Sequence, residues 1–475
     1  MLKKLSLLFF FLLSLFAEAQ GEANNWYFGR NAGLDFNSGS PTVLLDGALD
    51  TNEGCAAISN TDGNLLFYTD GITVYNSNHA IMQSGTDLGG NPSSTHSAIV
   101  VPKPDEPDQY YIFTVDIWNS FNAYGLSYSE VDMTLDNGLG AVTDVKNIQL
   151  EPVVHEKVIA ILNENQDGYW VVSHRHDSNE FLAYEVTASG VNTSPVISAV
   201  GSQTGFFLIT GQIRISPNGN RLAVARGGEV QVFDFDNATG VISNPITIDN
   251  IVSSYGIEFS PSGRFLYVAC YEGLYQFDLQ QITEADIMAS IIPLIELPGE
   301  GFTSMQIAPD GKIYVARTFR YYLGVINNPN TLGLNCNYVD QGVYLLGRES
   351  TLGLPTFMQS FFNVGFEAED VCEGNTSSFT ANISQAYDSL IWDFGDGTTS
   401  TDGNPTHTYA VAGDYEVSLS VTSGSENSLD AKTITVYENP IVAPLVELRQ
   451  CDDDLDGFSN FNLNEANADY CRLWL

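Results

Sequence analysis

One sequence element returns three times at nearly constant spacing: two alternating apolar strands joined by a tight turn that ends in glycine. The first copy is Ile213-Arg214-Ile215-Ser216-Pro217-Asn218-Gly219, followed by Arg221-Leu222-Ala223-Val224-Ala225. The second runs from Ile257 to Gly263 and then Phe265-Leu266-Tyr267-Val268-Ala269; the third runs from Met305 to Gly311 and then Ile313-Tyr314-Val315-Ala316. The turn glycines are 44 and 48 residues apart. A third alternating run follows in each of the first two copies, Val230 to Phe235 and Leu274 to Asp278. Each unit therefore folds as a small antiparallel sheet that leaves both of its faces to be covered by its neighbours.

A period of 40 to 50 residues with about four strands predicts a β-propeller. The Ser-Pro-x-Gly turns resemble those of YVTN-type and lactonase-like propellers. Weaker copies lie upstream at Ala57–Gly63 with Leu65–Tyr68, at Ser97–Val101 with Tyr110–Phe113, and at Ile159–Leu162 with Gly168–Val172. These make six. A seventh blade is expected to join the ends of the domain, with Thr356–Phe362 as its inner strand and Trp26–Phe28 and Leu34–Phe36 outside it, which closes the ring and removes its free edges. No part of the chain after residue 20 holds helical apolar spacing over several turns, so the expected class is all-β, with a propeller over residues 20–365.

A different pattern begins near Phe366. Leu390-Ile391-Trp392-Asp393-Phe394-Gly395-Asp396-Gly397 is followed by Asn404-Pro405-Thr406-His407-Thr408-Tyr409 and then by Gly413–Val421 with apolar residues at every second position. Trp392 and Phe394 alternate as a half-buried strand, the glycines allow positive φ at a tight turn, and Tyr415, Val417, Leu419 and Val421 share one face. In order and spacing this segment resembles the PKD domain, which implies an immunoglobulin-like sandwich over 366–438. The resemblance implies structural roles for Trp392, Asp393, Gly395, Asp396, Gly397, His407 and Tyr409.

The chain opens with Lys3 and Lys4, an apolar run from Leu5 to Phe16, and Ala17-Glu18-Ala19. Residues 1–19 read as an export signal; a bilayer span needs about 20 apolar residues. Their removal takes away two lysines and one glutamate, moving the net charge from -40 to -41. Such a chain repels nucleic acid and anionic membranes. A secreted or cell-surface location is expected, with no membrane span in the mature chain. Of the six cysteines, none forms a CxxC pair, and their fifteen possible pairings stay open.

Four groups of residues carry candidate chemistry. Arg214, Glu258 and Gln306 occupy the same place in the three inner strands, with Gln359 as the closing blade's counterpart, and if they line a central channel they could bind a polar ligand. The alternative is that they satisfy one another. His174 and His176, one residue apart on a strand, could meet His155 at a metal, against the plainer reading of surface histidines. Asp452, Asp454 and Asp456 with Gly457 set carboxylates at positions one, three and five of a calcium-type loop, but position twelve is Leu463 where a glutamate would complete it. Calcium and a plain acidic linker over 439–475 are both open there, as is the start of a further module: this stretch resembles segments that follow PKD modules in surface proteins of gliding Bacteroidetes, which implies surface attachment through sequence beyond Leu475. No GxSxG, HExxH, Walker or GxGxxG motif occurs. The expected function is a non-catalytic extracellular binding or adhesion protein, its propeller holding a glycan or protein and its PKD-like module acting as spacer. The alternative is a propeller enzyme, a lactonase-like hydrolase or polysaccharide lyase.

Overall fold

A computed structural model describes residues 21–439 apart from 118–123, 166, 204–208, 250, 252, 282, 359–363, 369–370, 384–388 and 424–425. The export-type segment, Gln359 and the acidic loop around Asp452 lie outside the described residues. No described helix is long and apolar enough to cross a membrane.

The chain divides into two compact units at Asn363. In the first, seven antiparallel sheets follow one another in sequence order. Blade 1 holds Asn25–Phe28, Ala32–Asp35 and Thr42–Leu44; blade 2 holds Ala56–Ser59, Leu65–Thr69 and Val74–Asn76. Blade 3 starts with Ala98–Lys103 and blade 4 with Val154–Leu162. Blades 5, 6 and 7 start with the repeated strands Ile213–Ile215, Ser254–Phe259 and Phe302–Ile307, each leading a sheet of four strands. From blade 2 onward each first strand touches the first strand of the next blade. They therefore stand side by side around an axis, with later strands of each blade further out. Burial follows that order: every residue of Phe302–Ile307 is buried, whereas Tyr338–Tyr344 at the rim of the same blade is mostly exposed. This is the seven-bladed propeller that the repeat predicts.

The repeated turns explain why the motif is legible. Gly219, Gly263 and Gly311 adopt φ of 74°, 73° and 70°, a region that side chains avoid. Ser216 and Ser260 fasten the turn from inside, their hydroxyls accepting from the amides of Arg221 and Phe265, each at 3.0 Å.

Closure uses both ends of the domain. Ser304 N–H donates to Leu352 O at 3.1 Å, and Thr356 N–H to Cys55 O at 2.9 Å, so residues 352–356 run between the first strands of blades 7 and 2. Arg30 bridges Glu349 in antiparallel register beyond the end of Asn25–Phe28, and the Trp26 and Phe357 rings lie 5.9 Å apart. The first blade is thus completed from the far end of the domain by a segment that starts a few residues before the expected Thr356.

The second unit pairs a three-stranded sheet, Val364–Ala368, Thr376–Ile383 and Thr406–Thr408, with a five-stranded one that includes Ser389–Asp393, Gly413–Ser423 and Glu426–Tyr437. Phe366, Phe379, Trp392, Phe394, Tyr409, Val417, Leu419 and Val421 meet in its core. Tyr415 packs at the margin, partly buried.

Candidate functional site at the propeller axis

Repetition places Arg214, Glu258 and Gln306 in register: they pair with Ala223, Tyr267 and Tyr314 on the adjoining second strands. All three are fully buried. Arg214 Nε donates to Glu258 Oε2 at 3.0 Å, and its Nη2 donates to Met305 O at 2.7 Å and Gln306 Oε1 at 3.2 Å. Its Nη1 meets His96 Nε2 at 3.1 Å. The same imidazole contacts Val158 O through Nδ1 at 2.8 Å. A carbonyl only accepts, so Nδ1 carries the proton and Nε2 takes the arginine's. Burial first, then the Arg214 charge, holds His96 far below the usual imidazole range and therefore neutral. Glu258 also accepts from the amides of Phe259 and Ile307; its burial raises the carboxyl above its ordinary range, against the pull of Arg214. Gln212 completes the network, its oxygen accepting from Ile257 N and Met305 N at 3.2 and 2.9 Å. The structure brings three of the four axial candidates together and spends their hydrogen bonds on one another. Gln359 lies outside the described residues.

The residues just before the inner strands form the mouth of this axis, and the repeat gives no hint of them. Tyr255, on the first strand of blade 6, donates its hydroxyl to Glu53 Oε2 of the blade 1 to blade 2 connection at 3.1 Å. Glu156 on blade 4 is buried and lies within electrostatic range of Glu53. Burial pushes both carboxyls up to about 7, the charge of Glu156 adding to this at Glu53 and that of Asp116 at Glu156; Lys157 partly opposes it at Glu156, and the Tyr255 hydrogen bond does so at Glu53. Lys157 is itself fully buried, with Nζ donating to the carbonyls of Ile209, Thr210 and Gly211. Its three donors are then used, and burial lowers its pKa. At neutral pH the mouth thus holds two carboxyls poised to gain or lose a proton beside a phenol and a lysine amine fixed on three backbone carbonyls. Such a set accepts hydrogen bonds from a polar ligand and can relay protons.

The histidines are not on the surface. His155 and His174 are fully buried, with rings stacked 4.4 Å apart and His176 at 6.0 Å from His155. His174 contacts Arg175 O through Nδ1 at 2.9 Å and Arg226 Nη2 through Nε2 at 3.0 Å. Burial above all, then neighbouring positive charge, holds His155 and His174 far below the imidazole range. Among the described residues no group of three or more His, Cys, Asp or Glu has the arrangement to hold a metal. Cys55, Cys270 and Cys336 are buried and form no disulfide among the described residues. Cys372 is buried, Cys451 and Cys471 lie outside the described residues, and so do Asp452, Asp454 and Asp456.

In the second unit the motif residues interlock. His407 stacks on Phe394 at 4.2 Å and reaches Asp396 Oδ2 through Nε2 at 2.8 Å. Tyr409 donates to Phe394 O at 3.1 Å, Trp392 Nε1 to Asp402 O at 3.0 Å, and Gly395 N to Asp393 Oδ1 at 3.0 Å. Partial burial opposes the ionisation of Asp396, but hydrogen bonds from Thr398 and His407 outweigh it and hold the carboxyl below its usual range. Gly395 and Gly397 take φ of 76° and 89°.

Residues 364–437 match the PKD domain family. Collagenase ColA of Bacillus cereus is 47% identical over 53 residues, 11% of this chain and 6% of that protein. A microbial collagenase of Vibrio alginolyticus is 56% identical over 48 residues, again 6% of its length. The chain therefore spans about one sixteenth of each of these two relatives. Among solved structures, the extracellular domain of the putative hybrid two-component system BT4673 from B. thetaiotaomicron is similar at 12% identity, with a TM-score of 0.42, over 88% of this chain and 55% of that one.

Proposed function

We propose that this chain is a secreted or cell-surface binding protein in which the propeller recognises an extracellular glycan or protein on the face that carries the axial mouth, with the PKD module as spacer. The supporting observation is the saturation of the axis. Arg214, Glu258, Gln306, Gln212 and His96 bond to one another in full burial, so ligand recognition falls to the face outside them. The motif residues of the PKD module bond to their own backbone and to each other, as a structural spacer requires.

A second reading rests on Glu53 and Glu156. Two carboxyls pushed up to about 7 suit general acid–base chemistry near neutral pH, as a hydrolase or lyase would use. One experiment separates the two. The full chain is incubated with candidate glycans and with extracellular extracts while binding and product release are followed together. Binding with the ligand recovered intact supports the binding role; turnover lost in Glu53→Gln and Glu156→Gln overturns it in favour of the enzyme.

A further inference from the structure

On the mouth face, blades 6 and 7 and the exit from blade 7 present a run of large apolar side chains to water. Antiparallel strands alternate in direction, so three kinds of element share one end of each blade: the start of the first strand, the turn between second and third strands, and the connection to the next blade. That end carries Tyr271 of blade 6, Phe319 and Tyr321 in the Arg317–Tyr322 turn of blade 7, and Tyr344 and Leu346 at the exit from blade 7. All are exposed, Tyr344 to 59% and Leu346 to 56%. They are neighbours: Leu345 N–H donates to Tyr321 O at 2.8 Å, Tyr322 pairs with Tyr344, and Gly301 N–H donates to Tyr271 O while Thr318 N–H donates to Gly301 O. Exposed apolar residues gathered at one end of adjoining blades in this way mark an interaction site.

Two of these residues are held there against backbone preference. Phe319 has φ 52° and Leu346 has φ 49°, left-handed conformations that bulky side chains rarely adopt and that glycine or asparagine would take without strain. Phe319 keeps 45% and Leu346 56% of its surface in solvent, so packing offsets that strain only in part. Strain of this sort gathers at binding surfaces.

The charges around the patch define the occupant. The guanidinium of Arg30 lies 5.2 Å from the Phe319 ring centre and pairs with Glu349 at 3.0 Å. Arg320 holds Glu300 through two nitrogens at 2.8 and 3.1 Å, and Arg317 is paired with Glu300 and Asp340. Arg348 donates to Leu45 O at 2.8 Å. In a chain of net charge -40, three of these four arginines are paired with carboxylates and the fourth, Arg348, is held by a backbone carbonyl, so the surface is rich in donors and acceptors on a molecule that stays strongly acidic. A polyanion meets repulsion from the rest of the molecule, against which one arginine without a carboxylate partner is small. An uncharged chain of pyranose rings fits: its C–H faces stack on aromatic rings and its hydroxyls bond to the guanidinium and carboxylate edges.

We infer that the exposed aromatic strip of blades 6 and 7 is the binding surface for an uncharged polysaccharide. This rests on the binding reading above and names its ligand class and place. The test is affinity electrophoresis and titration of the full chain with neutral polymers (a β-glucan, a mannan, a xylan) and acidic ones (alginate, polygalacturonate). The variant Phe319→Gly/Tyr321→Ser/Leu346→Gly removes the strip while relieving the backbone at two positions, and Ile197→Ser, an exposed apolar residue on a rim strand of blade 4, is the control. We expect binding to at least one neutral polymer, weakened at least about tenfold in the triple variant and unchanged in the control, with the melting midpoint of the triple variant no lower than that of wild type. Neutral-polymer binding that survives in the triple variant overturns the assignment of the strip but leaves the binding role standing. Retention of acidic polymers alone overturns the ligand class. Absence of any glycan binding overturns the inference, and the protein-partner arm of the proposed function is then judged by capture from extracellular extracts.

Discussion

Replacing Glu156 by glutamine tests the electrostatics of the axial mouth through stability alone. The carboxyl rises from 4.5 to about 7 in the fold, a shift worth about 3 kcal/mol between its two protonation states at 1.36 kcal/mol per unit. Between these two values the folded protein keeps a proton that the unfolded chain has already released. Stability therefore falls as pH rises through that window, and the full cost is carried above 7. Glutamine is close in shape to the protonated acid and carries no such cost. Glu156→Gln should be more stable than wild type by about 2 to 3 kcal/mol at pH 8 and by under about 1 kcal/mol at pH 5. Glu53→Gln should act in the same direction, because burial and the Glu156 charge push its carboxyl up to about 7. The assay is the pH dependence of the unfolding midpoint, by denaturant or differential scanning, for wild type and both variants. A Glu156→Gln variant that gains nothing at pH 8, or gains equally at pH 5, would refute the reasoning.

Further outcomes follow from the same geometry. Arg214→Met should cost about 3 to 5 kcal/mol, since it leaves Glu258 charged and buried, and the double variant Arg214→Met/Glu258→Leu should recover part of that in chemical denaturation. Gly395→Ala should destabilise the second unit by about 2 kcal/mol or more, because a Cβ there adds a 2.7 Å approach to Glu416 O to the positive-φ penalty. Gly397→Ala, with open space around it, should cost only about 1 kcal/mol. Asp396→Asn should cost about 1 kcal/mol at neutral pH. A carboxyl held low contributes stability above its ordinary pKa of 3.8 and loses it as pH falls through the lowered value, so the loss should vanish in strong acid.

What the sequence revealed tracks how local each constraint is. The turns at Gly219, Gly263 and Gly311 need positive φ within a few residues, so composition and spacing show them directly, and with them the inner strands and the register of Arg214, Glu258 and Gln306. The Trp392 to Tyr409 constellation was readable for the same reason: its hydrogen bonds join residues 15 or fewer positions apart. Glu53, Glu156 and Tyr255 were not readable. They come from three blades and meet only because the ring closes, and among so many carboxylates nothing local distinguishes these two. A usable signal existed in their position, one to three residues before an inner apolar run. The burial of His155 and His174 is not legible either, because alternation along Gly168–Arg175 does not show that a neighbouring blade covers the outer face. Phe319 and Leu346 hold left-handed conformations that no residue preference announces.

The most direct test of the binding role is a titration of the full chain with its extracellular ligand in which the ligand is recovered and its chain length measured. A saturable isotherm with the ligand recovered intact, in the wild type and in Glu53→Gln and Glu156→Gln alike, is the predicted result. Shortened or opened ligand in the wild-type sample, absent from both variants, would contradict it and make the propeller an enzyme.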